Sequence, residues 1–163
     1  MSILSAPYRL AHWIGGEAVV EDAGSFLPNV NPATAETIGE VTVASAQLID
    51  QAVQSAKAAF STWSSLPAED RAHWLNKLAD AIEINLEALA LAETRDTGKP
   101  LWLSRKIDIP RAASNFRFFA AAATQFASES HSGPTSIDYT LRQPIGVVGC
   151  ISPWNLPLYL FTW

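Results

Sequence analysis

Apolar residues change their spacing along this chain, and each change predicts a new element. Between Arg9 and Val43, short apolar pieces such as His12-Trp13-Ile14 and Ala18-Val19-Val20 are punctuated by Gly15-Gly16, Gly24, Pro28, Pro32 and Gly39. Gly15-Gly16 between two such pieces predicts a two-residue hairpin. Asn29-Val30-Asn31-Pro32 reads as extended chain entering a turn, because a residue before proline avoids the helical region. From Ser45, apolar residues recur at helical spacing through Leu48, Ile49, Ala52, Val53, Ala56, Ala59, Phe60 and Trp63. This predicts an amphipathic helix with Ser45 or Ala46 at its cap and Asp50 in its first turn. After a break at Ser64-Ser65-Leu66, Pro67 suits the first helical position, and Glu69 and Asp70 face the positive end of the helix dipole. Trp74, Leu75, Leu78, Ala79, Ile82, Leu86, Leu89 and Ala90 then form a second stripe, predicted to pack in the core and to end near Thr97-Gly98.

A third helical region begins at Pro100 and carries Leu101, Trp102, Leu103, Ile107, Ile109, Phe116, Phe118 and Phe119, running on through alanines to Phe126. Pro110 lacks an amide donor, so a kink or a junction of two helices is expected there. After Gly133-Pro134, residues 136–143 alternate, with Ile137, Tyr139 and Leu141 on one face and Asp138, Thr140 and Arg142 on the other, which predicts a strand. Ile145-Gly146-Val147-Val148-Gly149-Cys150-Ile151 is apolar without alternation, the pattern of a strand buried on both faces. A loop, Ser152 to Leu156, leads to a helix starting at Pro157. Strand, loop and helix start in that order open a doubly wound α/β unit. Such a strand has no parallel partner within these residues, so the chain is expected to be the N-terminal part of a longer enzyme and to fold poorly alone, exposing an aggregation-prone edge.

Composition narrows the class. The chain has 163 residues, 48% of them hydrophobic and 17% charged, which marks a folding chain and not a disordered one. The single cysteine, Cys150, excludes an internal disulfide framework and a multi-cysteine zinc site; inside an apolar strand it is expected to be buried and inert. A net charge of -5 with no Lys/Arg run argues against nucleic acid as a partner. No charged side chain follows Arg142, and that uncharged stretch matches a membrane span in length. Its prolines and Asn155 would leave backbone groups unpaired in lipid, so a span is rejected. Met1 to Leu10 shows no signal or transit pattern, and a cytoplasmic location is expected.

Asn29-Val30-Asn31-Pro32-Ala33-Thr34, Asp96-Thr97-Gly98-Lys99-Pro100, and Pro144-Ile145-Gly146-Val147-Val148 running into Pro153-Trp154-Asn155-Leu156-Pro157 together resemble the aldehyde dehydrogenase superfamily. Asp70-Arg71 and Phe116-Arg117-Phe118-Phe119-Ala120 add to the match, which covers nearly the whole chain. The resemblance implies an α/β fold. Residues 1–132 would be the helical part of an NAD-binding domain, 133–143 an oligomerisation arm and 144–163 the first Rossmann-like strand with its cofactor loop and helix start. No GxGxxG loop is present; the family's own variant of the fold implies NAD as cofactor, with NADP left open.

Oxidising an aldehyde needs a thiolate nucleophile, a hydride acceptor, an oxyanion donor and a base. By position in the motif, the resemblance makes Asn155 the oxyanion donor; the residues alone leave open that it caps the helix at Pro157. Ile151, Ser152, Pro153 and Trp154 would line the cofactor cleft, with a turn around a packed Trp as the alternative. Leu156, Tyr159 and Trp163 would wall the aldehyde tunnel, although their spacing also suits ordinary helix core. The nucleophilic cysteine and the base glutamate are implied to lie after Trp163, so this chain alone is expected to be inactive and Cys150 is not the nucleophile.

Ile107-Asp108-Ile109-Pro110-Arg111-Ala112, with Ser152 to Tyr159, is most similar to the branch acting on 2-hydroxymuconate and 2-aminomuconate semialdehydes. Arg111, just past the expected kink, would clamp a distal carboxylate, the alternative being a helix-surface arginine; Arg105 and Arg117 are expected to be solvated or paired with Asp108. Asn29, Val30 and Asp96 match a monovalent cation site formed mainly by backbone oxygens, with a turn-forming Asp96 as the alternative. Residues 136–143 would pair with a second subunit in a homodimer or homotetramer. The competing reading is a catalytically inactive assembly fragment that keeps the helical layer and the arm.

Overall fold

The computed structural model describes residues 8–21 and 24–163. Met1 to Pro7, on which the localisation reading partly rests, lie outside the described residues. The first part of the chain forms a small sheet in the order β1 (Tyr8–Leu10), β5 (Thr37–Thr42), β4 (Phe26–Val30), with β1 parallel and β4 antiparallel to β5. Beside it stands the predicted hairpin, β2 (His12–Ile14) and β3 (Glu17–Val19), paired antiparallel. Its turn places Gly15 and Gly16 at φ 63° and 89°, the backbone that a two-residue primed turn requires. After β4, the Asn31 carboxamide oxygen accepts the Ala33 amide at 2.9 Å and closes the turn expected at Pro32.

Helix α1 (Ala46–Ser65) starts where its pattern begins. The Ser45 hydroxyl accepts the Leu48 amide at 3.1 Å and donates to Glu21 at 2.6 Å, so the cap is itself anchored to the strand region. That bond holds the Glu21 carboxyl below its usual pKa. Asp50 falls beyond the first turn. Pro67 is the cap of α2 (Ala68–Ile84), one position earlier than expected, and the Arg71 guanidinium donates to the Leu66 carbonyl behind it.

The long second stripe is two helices, since α2 ends at Asn85 and α3 runs Leu86–Thr97. Asn85 donates its side-chain amide to the Ala81 carbonyl at 2.8 Å, a local bond that competes with helix continuation. Trp74 and Leu78 are half exposed, contrary to the core role expected of them. The core instead uses the small side of each helix: Ala79 and Ile82 of α2, Ala90 of α3, and Ile109, Ala112 and Ala113 from further on. Alanines at the contact let the backbones approach closely.

Pro100 precedes a short helix, α4 (Leu101–Leu103), and a single π turn, Ser104–Asp108, leads into α5 (Ile109–Gln125). The Ile109 amide donates to the Ser104 carbonyl, one residue further back than in an α-helix. The next residue, Pro110, has no amide to donate, and the expected junction takes this widened form. Two surface clamps hold α5: Arg117 reaches Asp80 at 2.9 Å and Glu83 at 2.6 Å on α2, and Arg105 of the π turn meets Glu87 of α3 at 2.6 Å. The expected pairing of Arg105 or Arg117 with Asp108 is therefore not formed; both arginines lie on the outer surface, where other carboxylates are nearer.

Beyond α5 the strand predicted for 136–143 is shorter. Only β7 (Ile137–Tyr139) is paired, antiparallel to β6 (Ser130–Ser132), in a hairpin whose side chains are all exposed. The buried strand predicted for 145–151 is absent. Residues 140–153 form no ladder, Ile145 is 92% and Ile151 100% exposed, and Cys150 is exposed as well. A strand exists through its neighbours, and none of the described strands lies beside this one. The chain then closes with α6 (Pro157–Phe161) against α5.

Gly98, at φ 73°, ends α3. A Cβ there would stand 2.8 Å from Pro32 Cγ and 3.1 Å from the Ala33 amide. Gly98→Ala is expected to cost about 1–3 kcal/mol, from the left-handed backbone alone, measured by denaturant unfolding.

Candidate functional site

The left-handed turn at Gly98 sends the Lys99 side chain back between α3 and the π turn. There its Nζ donates to Glu93 Oε1 at 3.0 Å, to Asp108 Oδ2 at 2.8 Å and to the Asn155 carbonyl at 3.2 Å. The Glu93 and Asp108 side chains are only 4% exposed and the Lys99 side chain 11%. Burial pulls the Lys99 pKa down, but the hydrogen bonds and charge of Asp108 and Glu93 more than offset it and leave the pKa above its ordinary value. The other oxygen of Glu93 accepts the Leu158 amide of α6 in a long contact of 3.5 Å. One buried cluster thus holds the chain at the Asn155 carbonyl and at the Leu158 amide.

Asn155 is exposed in the loop that this cluster anchors. The cap residue of α6 is Leu156, whose side chain makes no capping bond, so the Asn155 carboxamide does not serve as the helix cap. Ahead of it, Ser152, Pro153 and Trp154 form one wall of a cleft of about 550 Å³, opposite Tyr8, Leu89 and Asp96. Ile151 stands clear of that cleft. Trp154 is 86% exposed, which excludes the packed-turn alternative.

The residues expected to wall an aldehyde tunnel are brought together by the packing of α6 on α5. Tyr159 is buried, the Arg111 guanidinium lies 4.7 Å from its ring centre, and Trp163 meets the same ring edge-on at 6.2 Å. Phe119 closes the far side of Trp163 at 6.3 Å. Asn115, one turn beyond Arg111, donates to Thr162 Oγ1 at 3.0 Å and to the Tyr159 carbonyl at 3.4 Å. Leu156 is half-buried at the start of this group.

The proposed cation residues also meet. Asn29 donates its side-chain amide to Asp96 Oδ1 at 2.7 Å and to the Tyr8 hydroxyl at 2.9 Å, while Val30 is exposed beside it. The β4–β5 register shifts between Asn29 and Val30, which loosens the ladder at those backbone groups. Burial pushes the Tyr8 pKa up, against the Asn29 bond, which lowers it. Among the described residues no cluster of three or more His, Cys, Asp or Glu side chains is placed to hold a metal ion.

Sequence reasoning passed over the Lys99, Glu93 and Asp108 cluster. The signal was present: Glu93 continues the apolar spacing of Leu86, Leu89 and Ala90, and a carboxylate on a buried stripe requires a buried partner.

A helical layer and a motif loop entering a short helix frame the arginine–aromatic group. The aldehyde dehydrogenase family model matches residues 19–163, and the chain belongs to that family. It is 44% identical over 158 residues to 2-aminomuconic semialdehyde dehydrogenase of Mus musculus, covering 94% of this chain and 32% of that protein. To 2-hydroxymuconic semialdehyde dehydrogenase of Pseudomonas sp. (strain CF600) it is 41% identical, covering 95% of this chain and 33% of that protein. The crystal structure of PnpE in complex with nicotinamide adenine dinucleotide superposes with TM-score 0.87 at 39% identity over 93% of this chain and 31% of that one. HpcC from Thermus thermophilus gives TM-score 0.90 at 36% identity over 95% of this chain and 30% of that one. The chain spans about one third of the length of these relatives, and over that third the fold is the one the motifs implied. Among the described residues no helix is long and apolar enough to cross a membrane.

Proposed function

We propose that the protein carrying this sequence oxidises a carboxylated semialdehyde of the 2-hydroxymuconic or 2-aminomuconic type to the acid, using NAD. The observation that carries this reading is Arg111 resting on the Tyr159 ring, at one end of a group whose other end is the loop bearing Asn155. The guanidinium is exposed and pre-oriented by the ring, with its edge donors available for a forked pair with a substrate carboxylate. Relatives named for muconic semialdehydes support the same class.

In this reading Asn155 donates its side-chain N–H to the aldehyde oxygen as negative charge develops there, and Leu156, Tyr159 and Trp163, the last 69% exposed, line the approach to the carbon. Pro153 and Trp154 present apolar surface to the cleft, suited to sheltering a flat ring system, which fits a nicotinamide cofactor; Ile151 stands outside it. NAD, when bound, supplies the hydride acceptor. Asn29, Val30 and Asp96 take a monovalent cation through the loosened ladder. The β6–β7 hairpin, with Ile137 and Tyr139 exposed, offers its free edge to a second copy in a homodimer or homotetramer.

Aldehyde-dependent NADH formation tests the reading, comparing 2-hydroxymuconic semialdehyde with an uncharged aliphatic aldehyde. Arg111→Ala is expected to lower kcat/KM for the carboxylated substrate about 10- to 100-fold, the loss of one or more charged hydrogen bonds, and to leave the uncharged aldehyde unaffected. An equal loss on both aldehydes would remove Arg111 from substrate recognition.

A further inference from the structure

We infer that Lys99, clamped between Glu93 and Asp108, is a positioning residue for Asn155; this rests on the oxyanion role proposed above. Asn155 is exposed and sits in a loop without a ladder, so nothing regular in the backbone fixes where its amide points. What holds its backbone is the cluster. The Lys99 ammonium donates to the Asn155 carbonyl at 3.2 Å, and the Glu93 carboxylate, bonded to the same ammonium, takes the Leu158 amide. Asp108 at 2.8 Å holds the ammonium from the other side, and it is delivered by the π turn that precedes Pro110.

The charges argue for the same role. Two carboxylates and one ammonium, all nearly excluded from water, carry a net negative charge and a desolvation cost that hydrophobic residues of the same volume would not incur. The cluster therefore gains little for stability over an apolar filling, whereas its directed donors fix a neighbouring carbonyl in space. An ammonium has three donors, and here the two carboxylates and the loop carbonyl use all three. The arrangement leaves Lys99 no other partner to choose.

The test is a double-mutant cycle in the protein that carries this sequence, read as kcat and as KM for NAD. Lys99→Met is expected to lower kcat about 10- to 100-fold, the scale of a misplacement near 1 Å, with KM for NAD unchanged. Lys99→Met leaves two carboxylates unpaired and threatens folding, so the triple change Glu93→Gln/Lys99→Met/Asp108→Asn, which is uncharged and close in volume, is measured beside it with a melting curve for each. Combined with Asn155→Ala, either variant is expected to be no slower than Asn155→Ala alone, because a residue acting through Asn155 has nothing left to position. Losses that multiply in the combined variant, or a triple variant that folds and keeps the parent kcat, would overturn the inference. An Asn155→Ala protein with full kcat would instead remove the oxyanion reading, and the inference with it.

Discussion

Lys99→Met is expected to destabilise the fold by about 3–5 kcal/mol, the cost of leaving a buried ion cluster without one of its partners. The size follows from the surroundings: Glu93 and Asp108 are each 4% exposed, and no second cation is bonded to either in place of Lys99 among the hydrogen bonds of the cluster. Removing the ammonium leaves both carboxylates buried without their cation. Denaturant unfolding at neutral pH measures the loss. A change below about 1 kcal/mol, the range of exposed pairs, would mean the cluster is open to solvent. In the parent protein the Lys99 pKa is raised on folding, so its contribution is complete below the ordinary lysine value and is lost only as the pH climbs through the raised one. Neutral and mildly alkaline solutions should therefore leave this contribution constant.

The second large effect belongs to Asn155. Asn155→Ala is expected to lower kcat about 10²- to 10³-fold, the measured range for removing one oxyanion donor, with little change in KM for the aldehyde. A donor that meets charge only as it develops stabilises the transition state more than the bound substrate. Stability should hardly move, because the side chain is exposed and caps nothing. Steady-state kinetics on the purified variant checks this; an unchanged kcat with raised KM would make Asn155 a binding group only.

The helical layer was legible because each device that sets it is local. Gly15-Gly16, Ser45 at the α1 cap and Gly98 at the α3 end stand where their conformations are needed, and each does what its chemistry predicts. Asn85 hid a boundary, since the apolar spacing runs through it unbroken while its side chain bonds back to Ala81. Trp74 and Leu78 misled for a related reason: size and spacing suggested core, but α2 contributes Ala79 and Ile82 to the core and leaves Trp74 and Leu78 half exposed. The apolar run 145–151 reads as a strand because its composition is that of one. Strand formation, however, is a property of pairs, and composition says nothing of whether a neighbour is present. The site followed the same division. Motif positions brought out Asn155, Arg111, Tyr159, Asn29 and Asp96, and the structure sets Arg111 against Tyr159 and Asn29 against Asp96. Lys99, Glu93 and Asp108 escaped because they meet only after the chain reverses at Gly98.

The π turn at Ser104–Asp108 also sets a rotational phase. A helix advances about 100° per residue, so one extra residue in a single turn swings everything after it by that angle about the axis. Asp108 looks inward at Lys99, Ser104 meets Thr94 at 2.9 Å, and a turn later Arg111 lies over Tyr159. In an uninterrupted α-helix those bearings could not all hold, and with Ser104 still facing Thr94 the arginine would point away from the ring that now supports it. The widened turn is a fixed offset between two halves of one rod, one half keyed to the buried charges and the other to the aromatic wall.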